Sequence, residues 1–281
     1  MQTQELIQKY RLKCSKFMDL YGINIHYSDE GSGDVILLLH GVFSSLHTFN
    51  KWAEHLCKSY RVIRIDLPGF GLTGPSIDNE YGMDLYIGYI RKFMDNLGID
   101  KFHIGGNSLG GWIAWEFAVA HEERINKMVL VNAAGYVSGG NYPLPFVIAQ
   151  TPVLRQVFNY EIVPKVVVRR FLRQVIKDQY VVTDHLVDRY YDIMHREGNL
   201  EAFSRIANSK FIQNTHALRN IEIPTLVLWG DEDAWISHHD AEKFKNDLKN
   251  VTVKIYKGVG HIPMEEIPEL TANDVLNFLK K

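Results

Sequence analysis

Gly106-Asn107-Ser108-Leu109-Gly110-Gly111 is the stretch that decides the fold. It follows an apolar run that predicts a strand, Phe102–Gly105, and it precedes a run that predicts a helix, Trp112–Ala118. In this strand–turn–helix context, Gly-x-Ser-x-Gly predicts a sharp turn that lifts the serine hydroxyl out of the backbone. The residues two positions away on either side must be small, and the helix N-terminus directs free N–H groups at the reacting carbonyl. Ser108 is therefore predicted to be a nucleophile.

The rest of the chain alternates short β-branched runs with amphipathic helical stretches, which indicates an α/β protein with a mostly parallel central sheet flanked by helices. A hairpin is predicted at 17–27 with its turn at Tyr21-Gly22, and a helix closed by Gly98 at 83–97. From about residue 136 to 220 the rhythm breaks into prolines and helical periodicity. We therefore predict a core formed by 1–135 and 221–281, with 136–220 inserted as a helical cap.

A base and an acid follow the last two predicted strands. His261 lies in Gly258-Val259-Gly260-His261-Ile262-Pro263, and three acidic residues, Asp231-Glu232-Asp233, follow the strand at 225–229. We predict that His261 takes the serine proton and that Asp233 holds its imidazole in the correct tautomer. Asp231 is the rival acid, but its place directly after Trp229-Gly230 favours a role in the turn.

Two backbone amides are predicted to stabilise the oxyanion of the tetrahedral intermediate. They belong to Leu109, directly after the nucleophile, and to Val42, in His40-Gly41-Val42-Phe43 after the first buried strand. His40 is expected to brace this loop and not to act in catalysis. Asp66, at the start of Asp66-Leu67-Pro68-Gly69-Phe70-Gly71, is expected to tie down a turn. No Gly-x-Gly-x-x-Gly follows the first buried strand, so a dinucleotide-binding fold is not indicated.

Together these motifs resemble the α/β-hydrolase superfamily over essentially the whole chain, and the order Ser108, Asp233, His261 is that of this superfamily. Within it, the Gly-Asn-Ser-Leu-Gly-Gly turn is most similar to bacterial carboxylesterases and lipases and their monoacylglycerol-lipase relatives. The resemblance implies an acyl-enzyme mechanism and no cofactor or metal. Dehalogenases and epoxide hydrolases need Asp in the position of Ser108, so the sequence departs from both.

Elimination favours ester hydrolysis, with short- to medium-chain acyl esters and monoacylglycerols as candidate substrates. Carbon–carbon hydrolases of meta-cleavage products share the turn, but they usually carry a Gly-Pro-Gly loop after the His-Gly pair that is missing here. This class stays open, as does a non-catalytic ligand-binding member of the fold. Phe43, Trp112 and Phe146 are predicted to contact the substrate.

Composition excludes several other classes. Lys and Arg total 31 and Asp and Glu 33, so the net charge of −2 does not favour nucleic-acid binding. The two cysteines, Cys14 and Cys57, form no metal or disulfide framework.

No apolar run approaches a membrane span and no signal peptide is visible, so we expect a cytoplasmic enzyme, with a mature secreted form left open. Arg169, Arg170, Arg173 and Lys177 lie near an apolar stripe, which leaves weak contact with a lipid surface open. The oligomeric state is not predicted.

Overall fold

The computed structural model describes residues 2–136, 143–160, 162–209 and 211–281. Its centre is an eight-stranded sheet in the order β1-β2-β4-β3-β5-β6-β7-β8. The antiparallel pairs are β1 with β2 and β2 with β4, and all later neighbours are parallel. The strands are β1 Ser15–Leu20, β2 Ile23–Glu30, β3 Val35–Leu39, β4 Arg61–Ile65, β5 Phe102–Asn107, β6 Ile125–Val131, β7 Thr225–Gly230 and β8 Val251–Tyr256.

Helices surround this sheet. They are α1 Thr3–Tyr10, α2 Asn50–Leu56, α3 Met83–Asn96, α4 Leu109–Ala120, α5 Leu144–Gln150, α6 Gln156–Asn159, α7 Lys165–Val175, α8 Asp184–Met194, α9 Asn199–Asn208, α10 His239–Asp247, α11 Pro263–Glu266 and α12 Pro268–Leu279. Helix α2 packs against α12, and α3 packs against α4. Because β5 and β7 are buried along their whole length, their apolar runs are those of strands covered on both faces.

The predicted fold class is confirmed, and the predicted hairpin turn and helix end agree with it. The hairpin turns at Tyr21 and Gly22, which both have positive φ, and Gly98 after α3 has a φ of +69°. Helix α1 was not predicted, because its sequence is mixed in charge and only two of its side chains are buried. Those two, Leu6 and Tyr10, pack in a small cluster of their own.

Between β6 and β7, the described residues form five α-helices, α5 to α9, one 3-10 helix, Thr215–Asn220, and no strand. These helices lie where the cap is predicted, although the first part of that range, residues 137–142, falls outside the described residues. Phe158 of α6 and Phe203 of α9 contact Phe43 of the core, with ring centroids 6.3 and 4.0 Å away. This aromatic cluster joins the helices to the loop after β3. The division into core and cap stays a prediction.

Among the described residues, no helix combines the length and the apolar character needed to cross a bilayer.

Candidate active site

Ser108 stands on a strained turn between β5 and α4. Its φ of 54° and ψ of −119° are rarely adopted by a residue with a side chain. A Cβ on Gly106 would lie 2.2 Å from the carbonyl oxygen of Gly110, and one on Gly110 would lie 2.1 Å from the carbonyl oxygen of Leu39. The glycines are therefore required by close backbone approach, as the spacing predicted.

The structure brings His261 and Asp233 together. The Nδ1 atom of His261 lies 2.7 Å from Oδ2 of Asp233, and both side chains are almost completely buried. The backbone N–H groups of Trp235 and Ile236 donate to Oδ1 of the same carboxylate at 2.7 and 3.0 Å. With both oxygens accepting, the carboxylate holds a proton on Nδ1 and leaves Nε2 free to act as a base.

Asp231 has a different position. Its Oδ1 accepts a hydrogen bond of 2.7 Å from the backbone N–H of Gly258, so it ties the loop after β7 to the loop after β8. No hydrogen bond joins it to His261 within the described residues. Of the two acids, the structure therefore places Asp233 against the imidazole and Asp231 in the turn.

Ser108 and His261 line the same narrow cavity. Their side chains do not form a hydrogen bond with each other in the described structure, so of the three proposed catalytic side chains only His261 and Asp233 are hydrogen-bonded. Contacts between a nucleophile and its base are often long without substrate and shorten in the reacting complex. The Trp235 ring packs on the imidazole with the centroids 5.6 Å apart, which limits how the base can move.

The predicted oxyanion amides lie beside the nucleophile. Leu109 is the first residue of α4, where the helix leaves its N–H groups without internal partners. Val42 lines both cavities that reach Ser108. A Cβ on Gly41 would lie 2.9 Å from Cβ of Ser108, so only glycine lets this loop approach so closely. The positions fit a two-donor oxyanion hole, and that role stays a prediction.

Two cavities meet at Ser108. The wider one, about 540 Å³, is lined by Trp112 and Phe146, and the narrow one is lined by Phe43 and by the inward face of α7. Each of the three predicted substrate-contacting residues therefore lines one or the other of these two cavities. Among them Phe43 also packs on Phe203, so it serves the attachment of the helices as well as the wall.

Asn132 is a residue of the site that sequence reasoning missed. It follows β6 with a φ of +43°, and its Nδ2 donates to Oδ2 of Asp233 at 2.7 Å. Its Oδ1 accepts from the N–H of Gly230 at 3.4 Å. A polar residue directly after a buried parallel strand, beside the strand that carries the acid, is the signal that could have found it.

Asn107 was also missed as a positioning residue. Its Nδ2 donates to the carbonyl oxygen of His261 and to that of Val131, both at 3.0 Å. The loop of the base is also held from the other side, because the N–H of His261 donates to the carbonyl oxygen of Val175 in α7 at 2.7 Å. The base is thus fixed to both the nucleophile turn and the helices above it.

His40 and Asp66 have the supporting positions predicted for them. Leu67 donates its N–H to Nε2 of His40 at 3.0 Å, and burial lowers the pKa of this imidazole. Asp66 accepts from His26 and from the N–H groups of Leu46 and Leu72. Burial alone would raise its pKa, but the neighbouring imidazoles outweigh it and hold the pKa of Asp66 below its usual range.

Comparison with known proteins agrees with the fold. A family model described as the alpha/beta hydrolase fold matches residues 34–268. A 2-hydroxy-6-oxo-6-(2'-aminophenyl)hexa-2,4-dienoic acid hydrolase of Metapseudomonas resinovorans is 28% identical over 277 residues, which cover 95% of this chain and 91% of the relative.

Two solved structures show the range of similar enzymes. A meta-cleavage product hydrolase from Pseudomonas fluorescens IP01 has a TM-score of 0.83 and 25% identity, covering 96% of this chain and 99% of the other. A membrane phospholipase A, described as a bacterial virulence factor, has a TM-score of 0.79 and 26% identity, covering 95% and 85%. A meta-cleavage product hydrolase and a phospholipase thus share this architecture. Since the family model spans most of the sequence, the chain belongs to the α/β-hydrolase family.

Proposed function

We propose that this protein hydrolyses neutral carboxylic esters through an acyl-enzyme on Ser108. In the first step the serine oxygen attacks the ester carbonyl, its proton passes to Nε2 of His261, and the amides of Val42 and Leu109 hold the oxyanion. His261 then gives the proton to the departing alcohol. Water, activated by the same imidazole, releases the acid and restores the serine.

The choice of a neutral substrate rests on the residues that line the two cavities. Among the described residues, neither cavity at Ser108 has a lysine or an arginine in its wall. Arg189 precedes Tyr190, which lines the narrow cavity, but the Nη2 atom of Arg189 lies 2.6 and 2.8 Å from the two carboxylate oxygens of Glu265. A substrate carboxylate would enter without a cation to pair with, and burying an unpaired charge is costly.

The dimensions of the site support an acyl chain of short to medium length. A cavity of about 540 Å³ lies in the range of small-molecule sites, and its wall combines aromatic rings with a few polar groups. The narrow cavity on the other side of Ser108 is lined mainly by apolar side chains of α7. We assign the acyl and alcohol parts of the ester to these two spaces.

Carbon–carbon bond hydrolysis of a dienoate is the second candidate, and the similarity to relatives of that activity favours it. A relative named as a dienoic acid hydrolase is 28% identical to this chain over nearly its whole length. The absence of a Gly-Pro-Gly loop, which favoured esters in the sequence, is therefore weak ground for excluding this class. The unpaired-carboxylate argument is the stronger one.

A substrate panel separates the two candidates. Nitrophenyl esters of increasing chain length, a monoacylglycerol and a 2-hydroxy-6-oxo-dienoate are compared by kcat/KM, with Ser108→Ala as the control. We expect turnover of the neutral esters and its loss in the variant. A higher kcat/KM for the dienoate than for every ester would select the second candidate. Turnover of neither, with unchanged ligand binding in the variant, would indicate a non-catalytic member of the fold.

A further inference from the structure

Of the sixteen large apolar side chains that are exposed among the described residues, eight lie between positions 144 and 166, above the site. We define the cap patch as the exposed apolar side chains of α5, α6, the start of α7 and the segments that join these helices: Leu144, Val147, Val153, Leu154, Val157, Tyr160, Ile162 and Val166. Val153 is 80% exposed and Val166 is 71% exposed, so these side chains are not held by the core. Contiguous exposed apolar surface of this kind marks an interaction site.

The patch is one surface because helices α5 and α6 both pack against helix α9. Phe146 of α5 and Phe158 of α6 both pack on Phe203 of α9, with ring centroids 5.2 and 5.3 Å away. Their opposite faces therefore point outward together. The N–H of Ile162 donates to the carbonyl oxygen of Val157 at 2.9 Å, which brings the chain before α7 alongside α6.

Positive charge accompanies the patch. Residues 143–177 contain six lysines and arginines and a single carboxylate, whereas the chain as a whole has a net charge of −2. Lys165 and Arg169 pair with carboxylates of α8. Arg155, Arg170 and Arg173 are exposed and form no ion pair within the described residues. Val166, Arg170 and Arg173 follow helical spacing along one outer face of α7.

We propose that the cap patch docks this protein on an anionic lipid bilayer, with the arginines at the headgroups and the apolar side chains in the interface. Apolar side chains flanked by cations are the composition that binds such surfaces. A second copy of the chain is a poor occupant, because the like charges of two such patches would repel each other. Docking requires no membrane-spanning segment.

The position of the patch connects it to the active site. Helix α5 presents Leu144 and Val147 outward, while Phe146 and Gln150 of the same helix line the wider cavity. A bilayer on the patch would therefore lie beside the mouth of the cavity that reaches Ser108. This inference rests on the proposed function for its substrate class, since it adds that the esters come from a lipid surface.

Vesicle binding tests the docking without using catalysis. The full chain is sedimented with vesicles of phosphatidylcholine alone and of phosphatidylcholine mixed with phosphatidylglycerol. We expect stronger binding to the mixed vesicles, weakened by salt. Each arginine near an anionic surface strengthens partitioning roughly fivefold, so Arg155→Gln/Arg170→Gln/Arg173→Gln should weaken it on the order of 100-fold. Its turnover of a water-soluble ester should be unchanged.

Matched variants on other surfaces are the controls. Arg91→Gln/Lys92→Gln/Lys101→Gln removes the same charge elsewhere and should retain most of the binding. Val153→Ser/Leu154→Ser should weaken binding to both kinds of vesicle, and Ile255→Ser/Leu270→Ser should not.

Three results would overturn the docking: no binding to anionic vesicles at low salt, equal losses in the control variants, or a concentration-dependent dimer that the patch variants abolish. Vesicle binding without ester turnover would instead retain the docking and remove the proposed function.

Discussion

Replacing Asp233 by asparagine tests how the acid controls the base. In the structure Oδ1 of Asp233 accepts two backbone N–H groups, from Trp235 and Ile236, while Oδ2 faces His261 and Asn132. An asparagine must keep its oxygen toward the two backbone donors, because its amide nitrogen would oppose them. The nitrogen then faces the imidazole and donates to Nδ1.

That reversal moves the imidazole proton to Nε2, where it can no longer accept the proton of Ser108. In an enzyme with the same constellation, the equivalent change lowers kcat by about 10⁴, which corresponds to about 5.5 kcal/mol of transition-state stabilisation. We expect a loss of this order for Asp233→Asn. The free energy of unfolding should fall less, since the two backbone bonds and the shape of the side chain are retained and the bond from Asn132 is lost.

Asp231→Asn is the matched control. Its amide oxygen can still accept the bond from Gly258, and the residue does not contact His261. Initial rates on a nitrophenyl butyrate and urea unfolding curves, measured for both variants, separate catalysis from stability. The reasoning is refuted if Asp233→Asn retains more than about a tenth of the wild-type kcat, a deficit of only 1.4 kcal/mol. Equal deficits in the two variants would refute it as well.

Three further predictions concern the supports of the site. Gly110→Ala should lower the yield of folded protein, or lower the free energy of unfolding by several kcal/mol, since its Cβ would lie 2.1 Å from a carbonyl oxygen of β3. Gly88 lies within α3 with open space around it, so the control variant Gly88→Ala should stabilise the protein by about 0.5–1 kcal/mol in thermal unfolding. Asn132→Ala removes one donor to Asp233 and should lower kcat by about one order of magnitude at nearly constant KM; an unchanged kcat would deny it a positioning role. His47 is buried in the loop after β3, where Nε2 lies 2.7 Å from the carbonyl oxygen of Tyr10 and Nδ1 lies 2.9 Å from Oγ of Ser45. Burial lowers the pKa of His47 to about 4, so this histidine stabilises the fold fully above its unfolded pKa of about 6.5 and loses that contribution as the pH falls toward 4. Between about pH 7 and pH 5 the wild type should lose about 2 kcal/mol more than His47→Gln in urea unfolding, and parallel curves would contradict this.

The places of the three proposed catalytic residues in the fold could be predicted because each follows a strand within a distinctive local motif. Gly106 is required by its close approach to the backbone of Gly110, four residues further on, so this spacing is readable along the chain. Asp233 could be preferred over Asp231 from its distance to the strand end. These features depend on local geometry, which sequence patterns record well.

What escaped prediction depends on contacts between distant segments. Asn132 supports Asp233 across 101 positions of the sequence, and Phe203 reaches Phe43 from a helix 160 positions away. A single asparagine after a strand or a single phenylalanine in a helix carries no signal of such a partner. Ester and carbon–carbon hydrolysis share the same turn, so the choice between them needs the charge of the cavity wall, which only the folded chain presents.

The most direct test of the account is to find where the acyl group goes. Wild-type protein is mixed with a nitrophenyl ester, quenched with acid during the first turnovers, digested and examined by mass spectrometry, with Ser108→Ala treated in parallel. The account predicts one acyl group on the peptide that contains Ser108, formed in a burst with nitrophenol release, and neither in the variant. Ester turnover that persists in Ser108→Ala, or an acyl group on another residue of a competent wild-type enzyme, would contradict it.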